Sequence, residues 1–414
     1  LNIKDRILKL NLIEIKFIEI TLILYVAISI LREYLLIEPL GTFGRLSRYF
    51  LLAIFMYVFL FVFIKNSKVI IRFFSKYRIL LTHITFLVIS TIINLNYIKE
   101  YISYILLILF VVVAVLSLRE RFQKIVFILY VCAGIYTFYS VFITKNIYVA
   151  PGTRDFLFLE LNRIRLNTEG IQFSIIASYM GVLSIMWLSI IQNKILKYLG
   201  FLLLGYLSLT IGKVTIIITM FLVVSIYLIL RVLKSKGKNV VYISLFLTAF
   251  SSVLVSKIAI KLFNIPMYKA DILFNNRVSI WDNYLSNIFS GGIIDFFFGY
   301  GFFDASLSTN FLLFHPHNQF LGAMYITGIF GFVSYLLLWF DALKVTYKKN
   351  VAKKNYFETI LLLFILFIQI GDDYIFFTVE PLYLMLFMYI YIKNSINDRF
   401  NLSEMKKGNV EGSK

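Results

Sequence analysis

The chain has 414 residues, 60% of them hydrophobic and only 15% charged, with a mean hydropathy of +0.85; an ordinary soluble domain carries about a quarter charged residues. Polar side chains are too few to coat the two or three soluble domains this length would make, and the same figures exclude a disordered chain. The 41 Lys and Arg against 22 Asp and Glu give a formal net charge of +19, but a nucleic-acid binder would need that charge on one face of a soluble body, so the composition points to a polytopic membrane protein with no nucleic-acid partner.

A membrane-crossing helix needs about 20 mostly apolar residues. In chain order, apolar runs cover 17–36, 49–64, 79–93, 101–118, 125–143, 171–191, 198–210, 214–230, 240–256, 319–340, 357–370 and 375–392. These twelve runs predict an all-α transmembrane bundle of about twelve spans, with the seventh and eighth short enough to form one bent pair around Ile211-Gly212-Lys213. The first run has no small-residue cleavage site after it, so it is expected to be retained. The chain opens on Leu, which suggests a few preceding residues or a non-ATG start codon read literally.

Lys and Arg placement sets orientation. With the N-terminus in the cytoplasm and alternating crossings, the inner segments are 1–16, 65–78, 119–124, 192–197, 231–239, 341–356 and 393–414. They hold 28 of the 41 Lys and Arg, against nine acids once Glu19 and Glu358 at the adjoining span ends are counted with them. The outer segments hold 13 of each sign and sum to zero. The whole +19 is therefore a topology signal, and both termini are expected on the cytoplasmic side of the membrane. The inner connectors are short and contain no Gly-rich phosphate loop, so no nucleotide site or other cofactor is expected.

Two outer segments are long: 144–170, and 257 to about 317. Long loops between spans are usually functional. The larger carries Phe, Trp, Tyr and Ile throughout, so it is predicted to fold back on the membrane, with a helix near 277–289. This divides the chain into an N-terminal bundle (1–256, about nine spans), a large, partly helical extracytoplasmic loop (257–318), C-terminal spans (319–392) and a cytoplasmic tail (393–414).

The large loop ends in Phe314-His315-Pro316-His317-Asn318-Gln319 and runs into the tenth apolar run, followed nine residues after Asn318 by Gly328-Ile329-Phe330-Gly331. The glycine spacing predicts one small helix face for close helix approach. His317 falls at a helix N-terminus, where the dipole favours a neutral imidazole able to accept a hydroxyl proton. Upstream stand Arg277-Val278-Ser279-Ile280-Trp281 and the tight turn Phe298-Gly299-Tyr300-Gly301. Arg277, Arg163, Arg165 and Lys213 supply outer cations, and an Arg fork pairs bidentately with phosphate oxygens. Such a set suits an anionic, lipid-linked substrate, most simply a diphosphate. Trp281, Tyr284 and Tyr300 are candidates to stack on sugar rings, and Asp372-Asp373 forms an outer carboxylate pair. His83, alone inside the third run, reads as a packed core histidine. A metal site at His315 and His317 would need further ligands, such as Asp295 or Asp304, and none is predicted.

The segment Arg277-x3-Trp281, Gly299-Tyr300-Gly301, His315-Pro316-His317-Asn318 and Gly328-x2-Gly331 resembles the core signature of the O-antigen ligase and Wzy-type polysaccharide polymerase superfamily, over roughly residues 270–340. Leu209-Thr210-Ile211-Gly212-Lys213-Val214 resembles the family's Thr-Gly-Ser-Arg segment, with Lys213 where Arg is usual. Lys keeps the charge and loses the fork. The resemblance implies a glycosyltransferase that moves a glycan from undecaprenyl diphosphate to an acceptor hydroxyl on the outer side of the membrane. His317 would activate the acceptor and Arg277 would stabilise the diphosphate leaving group. Lys213, Arg163 or Arg165, His315 and Asn318 would bind substrate. A flippase and a chain-length regulator are the implied protein partners. A repeat-unit polymerase is favoured over a ligase acting on lipid A core. A transporter of the same lipid-linked oligosaccharide is the rival from another class, set against which are the one-sided polar cluster and the lack of an internal repeat.

Overall fold

The computed structural model describes residues 8–35, 40–139, 147–149, 154–156, 159–161, 164–166, 173–211, 214–274, 277–301, 318–370 and 381–399. Its helices are α1 (Leu12–Leu35), α2 (Leu40–Lys76), α3 (Arg78–Ile93), α4 (Ile98–Leu118), α5 (Glu120–Phe138), α6 (Phe173–Ile190), α7 (Lys194–Ile211), α8 (Val214–Leu233), α9 (Lys238–Ala249), α10 (Ser251–Val253), α11 (Ile260–Leu262), α12 (Met267–Phe274), α13 (Arg277–Ser290), α14 (Ile293–Phe298), α15 (Gln319–Lys353), α16 (Phe357–Ile368) and α17 (Pro381–Arg399). Each apolar run falls, over its described part, on one of these helices or on the series α9–α11.

Four stretches are long and apolar enough to cross a membrane by length and composition: Ala53–Lys76, Tyr101–Leu118, Ile218–Ala249 and Gln319–Lys353. The third is two helices, because Lys234 takes a left-handed conformation (φ 49°) that ends α8 before a short 3-10 turn leads into α9.

The all-helical expectation needs one amendment. Within 147–166 the chain forms two small antiparallel pairs, β1 (Ile147–Val149) with β4 (Ile164–Leu166) and β2 (Arg154–Phe156) with β3 (Leu159–Leu161). Apolar–polar–apolar triplets such as Ile164-Arg165-Leu166 have the period of a strand, which a search for long apolar runs passes over.

Contacts between distant segments cluster at two opposite ends of the bundle. Lys65 pairs with Glu14 at 2.6 Å, Tyr389 donates to Gln123 at 2.8 Å, and Lys393 pairs with Glu358 at 2.8 Å. At the other end Lys257 pairs with Asp282, and Asn318 donates to Ser251 at 2.9 Å. The Lys- and Arg-rich connectors thus gather at one end of the bundle. Between the ends lies a continuous apolar core in which Phe55 stacks on Phe110 and Trp339 packs on Phe387. His83 is fully buried there, its Nδ1 at 2.9 Å from the Ser334 hydroxyl, in keeping with a packed core histidine.

The expected boundary near 256–257 falls in a helical series. Leu254–Ala259 is π-helical and continues into α11, so the chain enters the outer segment as helix.

The Gly328–Gly331 pair has a different role from the predicted one. Gly328 breaks α15, with φ 65° and ψ −171°, a region that is essentially open only to glycine. Phe298-Gly299-Tyr300-Gly301 docks into the break. Tyr300 N donates to the Tyr325 carbonyl at 2.8 Å, and Gly301 N donates to that of Ile326 at 3.2 Å. Tyr101 Oη donates to the same Ile326 carbonyl at 2.8 Å. A Cβ on Gly328 would lie 2.3 Å from the Phe297 carbonyl carbon, and one on Gly299 would lie 2.1 Å from the Ile326 oxygen. At Gly331 a Cβ would meet Thr327 of the same helix at 2.0 Å. The glycines therefore admit a backbone strap and a neighbouring side chain, where the sequence suggested a smooth helix face.

Gly328→Ala combines a backbone conformation costing about 1–3 kcal/mol with a clash against main chain. It is expected to lower the thermal midpoint and folded yield of the detergent-purified protein. Gly205→Ala, where nothing lies within 4 Å of the added methyl, should melt like wild type. Equal melting of the Gly328 variant and wild type would show that the break is dispensable.

Candidate functional site

Helix α13 is amphipathic. Val278, Ile280, Trp281, Tyr284, Leu285 and Ile288 form its buried face at helical spacing. Asp271 on α12 accepts from Ser279 N at 2.9 Å and so satisfies a donor in the first turn. On another side, Lys257 from the π-helical stretch pairs with Asp282 and reaches the Ser286 hydroxyl at 3.5 Å. Both partners of that pair are partly exposed, so it contributes little stability and chiefly fixes orientation.

Arg277 opens α13. Its Nε is buried and has no hydrogen-bond partner among the described residues. A buried donor left bare costs about 1–3 kcal/mol, and more when charged. The N-terminus of a 14-residue helix also carries partial positive charge, so the position suits an anion.

The start of α15 is tied on three sides. Asn318 caps it, with Oδ1 accepting from Leu321 N at 3.0 Å, while Nδ2 donates to Ser251 on α10 at 2.9 Å. Gln319 N donates to the Gln369 carbonyl just beyond α16 at 2.9 Å. Leu321 shares one apolar cluster with Ile280, Trp281, Tyr284, Leu285 and Ile288. One turn on, Tyr325 packs edge-on against Tyr284 at 4.9 Å and is stacked on Tyr300 at 4.9 Å. Tyr300 Oη donates to the Asn287 carbonyl at 2.8 Å, and burial, with the Asp295 carboxylate, raises its phenol above the usual range, so it remains a neutral donor. The strap thus joins α13 to α15.

In sequence, Arg277 stands one turn ahead of Trp281, and His317 stands four residues ahead of Leu321. The shared cluster therefore brings together the helix starts that carry these two residues. His317 itself lies outside the described residues, as do His315, Arg163, Lys213, Asp372 and Asp373. Arg165 lies on β4 opposite Tyr148. Lys213 falls between the end of α7 and the start of α8, and Asp372-Asp373 follows closely on Gln369. The described chain ends at Asn318-Gln319 and Gln369-Ile370 are joined by the Gln319–Gln369 bond.

One expectation is corrected. Trp281 and Tyr284 are each 1% exposed and form the cluster between α13 and α15, so their rings are occupied by protein and are not free to stack on sugars. Both polar ends of Asn318 are engaged by protein, which makes it a holder of the α15 start. Ser251, Gln369 and Asp271 had no signal in the sequence, since only the packing of distant segments brings them here. Among the described residues no group of three His, Cys, Asp or Glu converges as a metal site would require.

Asn318→Ala removes the cap, at about 1 kcal/mol, together with a buried hydrogen bond worth about another 1 kcal/mol. Asn318→Asp keeps the acceptor for Leu321 N and loses the donor to Ser251. Thermal midpoints should rank wild type, Asp, then Ala. An alanine variant as stable as wild type would sink the anchoring role. No family model, curated protein or solved structure matches the chain.

Proposed function

We propose that the protein is a membrane glycosyltransferase with about twelve spans and both termini in the cytoplasm, joining polysaccharide repeat units on the outer side of a bacterial cytoplasmic membrane. The donor is an undecaprenyl-diphosphate-linked oligosaccharide and the acceptor is a sugar hydroxyl. The observation that carries this reading is Arg277, whose buried Nε has no hydrogen-bond partner among the described residues and lies at the start of a helix. That helix packs against the helix that follows His317. A diphosphate would complete its hydrogen bonding. The motif resemblance supplies the class of reaction.

In this reading the His317 imidazole accepts the proton of the acceptor hydroxyl as its oxygen attacks the anomeric carbon. The bond from that carbon to the diphosphate oxygen breaks, and the diphosphate leaves with the bonding pair. Fixed cations stabilise the charge that develops there. Arg277 is the principal one, assisted by Lys213 and by Arg163 or Arg165, while His315 positions its neighbour. The outer face sums to zero charge, so binding rests on these placed cations and not on bulk basicity. The donor linkage carries the energy, and no nucleotide is consumed.

Purified protein is given a lipid diphosphate-linked repeat unit, and the products are resolved as a glycan ladder. Wild type should lengthen chains. His317→Ala should abolish the ladder, and Arg277→Ala should slow it about 100- to 1,000-fold, the scale for losing one preorganised charge stabiliser. Arg277→Lys should fall between, since charge returns without the fork. Normal polymerisation by both alanine variants would refute the mechanism. Transfer only to a lipid A core acceptor would assign a ligase, and movement of the lipid without linkage would assign a transporter.

A further inference from the structure

The other end of the bundle holds a cavity of about 560 Å³ where α5, α6, α15, α16 and α17 meet. Its floor is built. The Glu358 carboxylate accepts from Lys393 Nζ at 2.8 Å and from Asn394 Nδ2 at 2.8 Å. Lys393 also reaches Gln123 Oε1 at 3.3 Å, and Tyr389 donates to the same oxygen at 2.8 Å. Asn350 Oδ1 accepts from both Thr359 N and Thr359 Oγ1 at 2.9 Å. The acid on the floor is thus neutralised by its own lysine.

The walls differ. Lys124 and Lys353 line the cavity, are exposed, and make no ion pair or hydrogen bond among the described residues. Glu120, the remaining acid, sits in the first turn of α5, where it complements the dipole of its own helix. The N-terminus of α16 also opens here, through Phe357. Phe127, Ile128 and Ile190 form an apolar side, and Ile128 is 57% exposed on the outside of the bundle, so the cavity runs out onto the lipid-facing surface. A small hydrophilic anion would leave that apolar side bare.

We propose that this cavity binds the headgroup of an anionic glycerophospholipid of the inner leaflet, its phosphate between Lys124 and Lys353 and its glycerol and acyl portion over Phe127 and Ile128. The site is separate from the outer one and does not depend on the reaction performed there. Two lysines otherwise counted only as topology signals thereby acquire a specific ligand.

Full-length protein in a neutral detergent is titrated with phosphatidylglycerol or phosphatidylcholine, and bound lipid is counted by native mass spectrometry. Wild type should retain phosphatidylglycerol in preference. Each lysine near an anionic lipid contributes a factor of about five, so Lys124→Gln with Lys353→Gln should lower retention about 25-fold with an unchanged melting curve. The control pair Lys68→Gln with Arg72→Gln, exposed at the same end but away from the cavity, should retain lipid like wild type. Equal loss in the control pair overturns the proposal, as does undiminished retention in the cavity pair. Displacement of phosphatidylglycerol by millimolar inorganic phosphate would overturn the lipid assignment in favour of a free anion.

Discussion

A buried backbone donor or acceptor must find a partner inside the protein, and the break of α15 at Gly328 is where this requirement shapes the bundle. A 35-residue helix that breaks nine residues from its start turns main-chain carbonyls out of their ladder. Here the strap 298–301 and Tyr101 satisfy them. The strap is satisfied in turn. Ser90 Oγ donates to the Phe298 carbonyl at 3.2 Å, and Gly299 N donates back to the Asp295 carbonyl at 2.8 Å. One broken helix therefore fixes α3, α4, α14 and the outer loop at a single place.

The outer site inherits that geometry. Tyr300, carried by the strap, stacks on Tyr325 and bonds to α13, so the same device that repairs α15 also sets α13 beside it. Asn318 and Gln319 then lock the start of α15 to α10 and to the end of α16. Arg277 stands apart, its Nε buried with no hydrogen-bond partner among the described residues.

The opposite end is built on other principles. Glu358, Lys393, Asn394, Asn350 and Gln123 form a network joining α5, α15, α16 and α17. The Glu358–Lys393 pair is only partly buried, and the Asn and Gln side chains around it complete its hydrogen bonding. Lys124 and Lys353 line the cavity above this network, with no ion pair or hydrogen bond among the described residues.

The sequence by itself determined the helical elements, the segregation of charge to one end, the turn at Gly299 and Gly301, and the core placement of His83. These follow from local composition and period, which act over one helix length. It also singled out Arg277, although its spacing said nothing of a bare Nε. Only the tertiary structure decided that Gly328 is a break, that Trp281 and Tyr284 are packed between helices, and that Asn318 is an anchor. The same holds for the short strands in 147–166 and for the meeting of Ser251, Gln369 and Asp271 with the outer site. Each of these depends on which distant segment supplies the partner, and a hydrophobic or hydrogen-bonding residue carries no mark of that partner in its own neighbourhood.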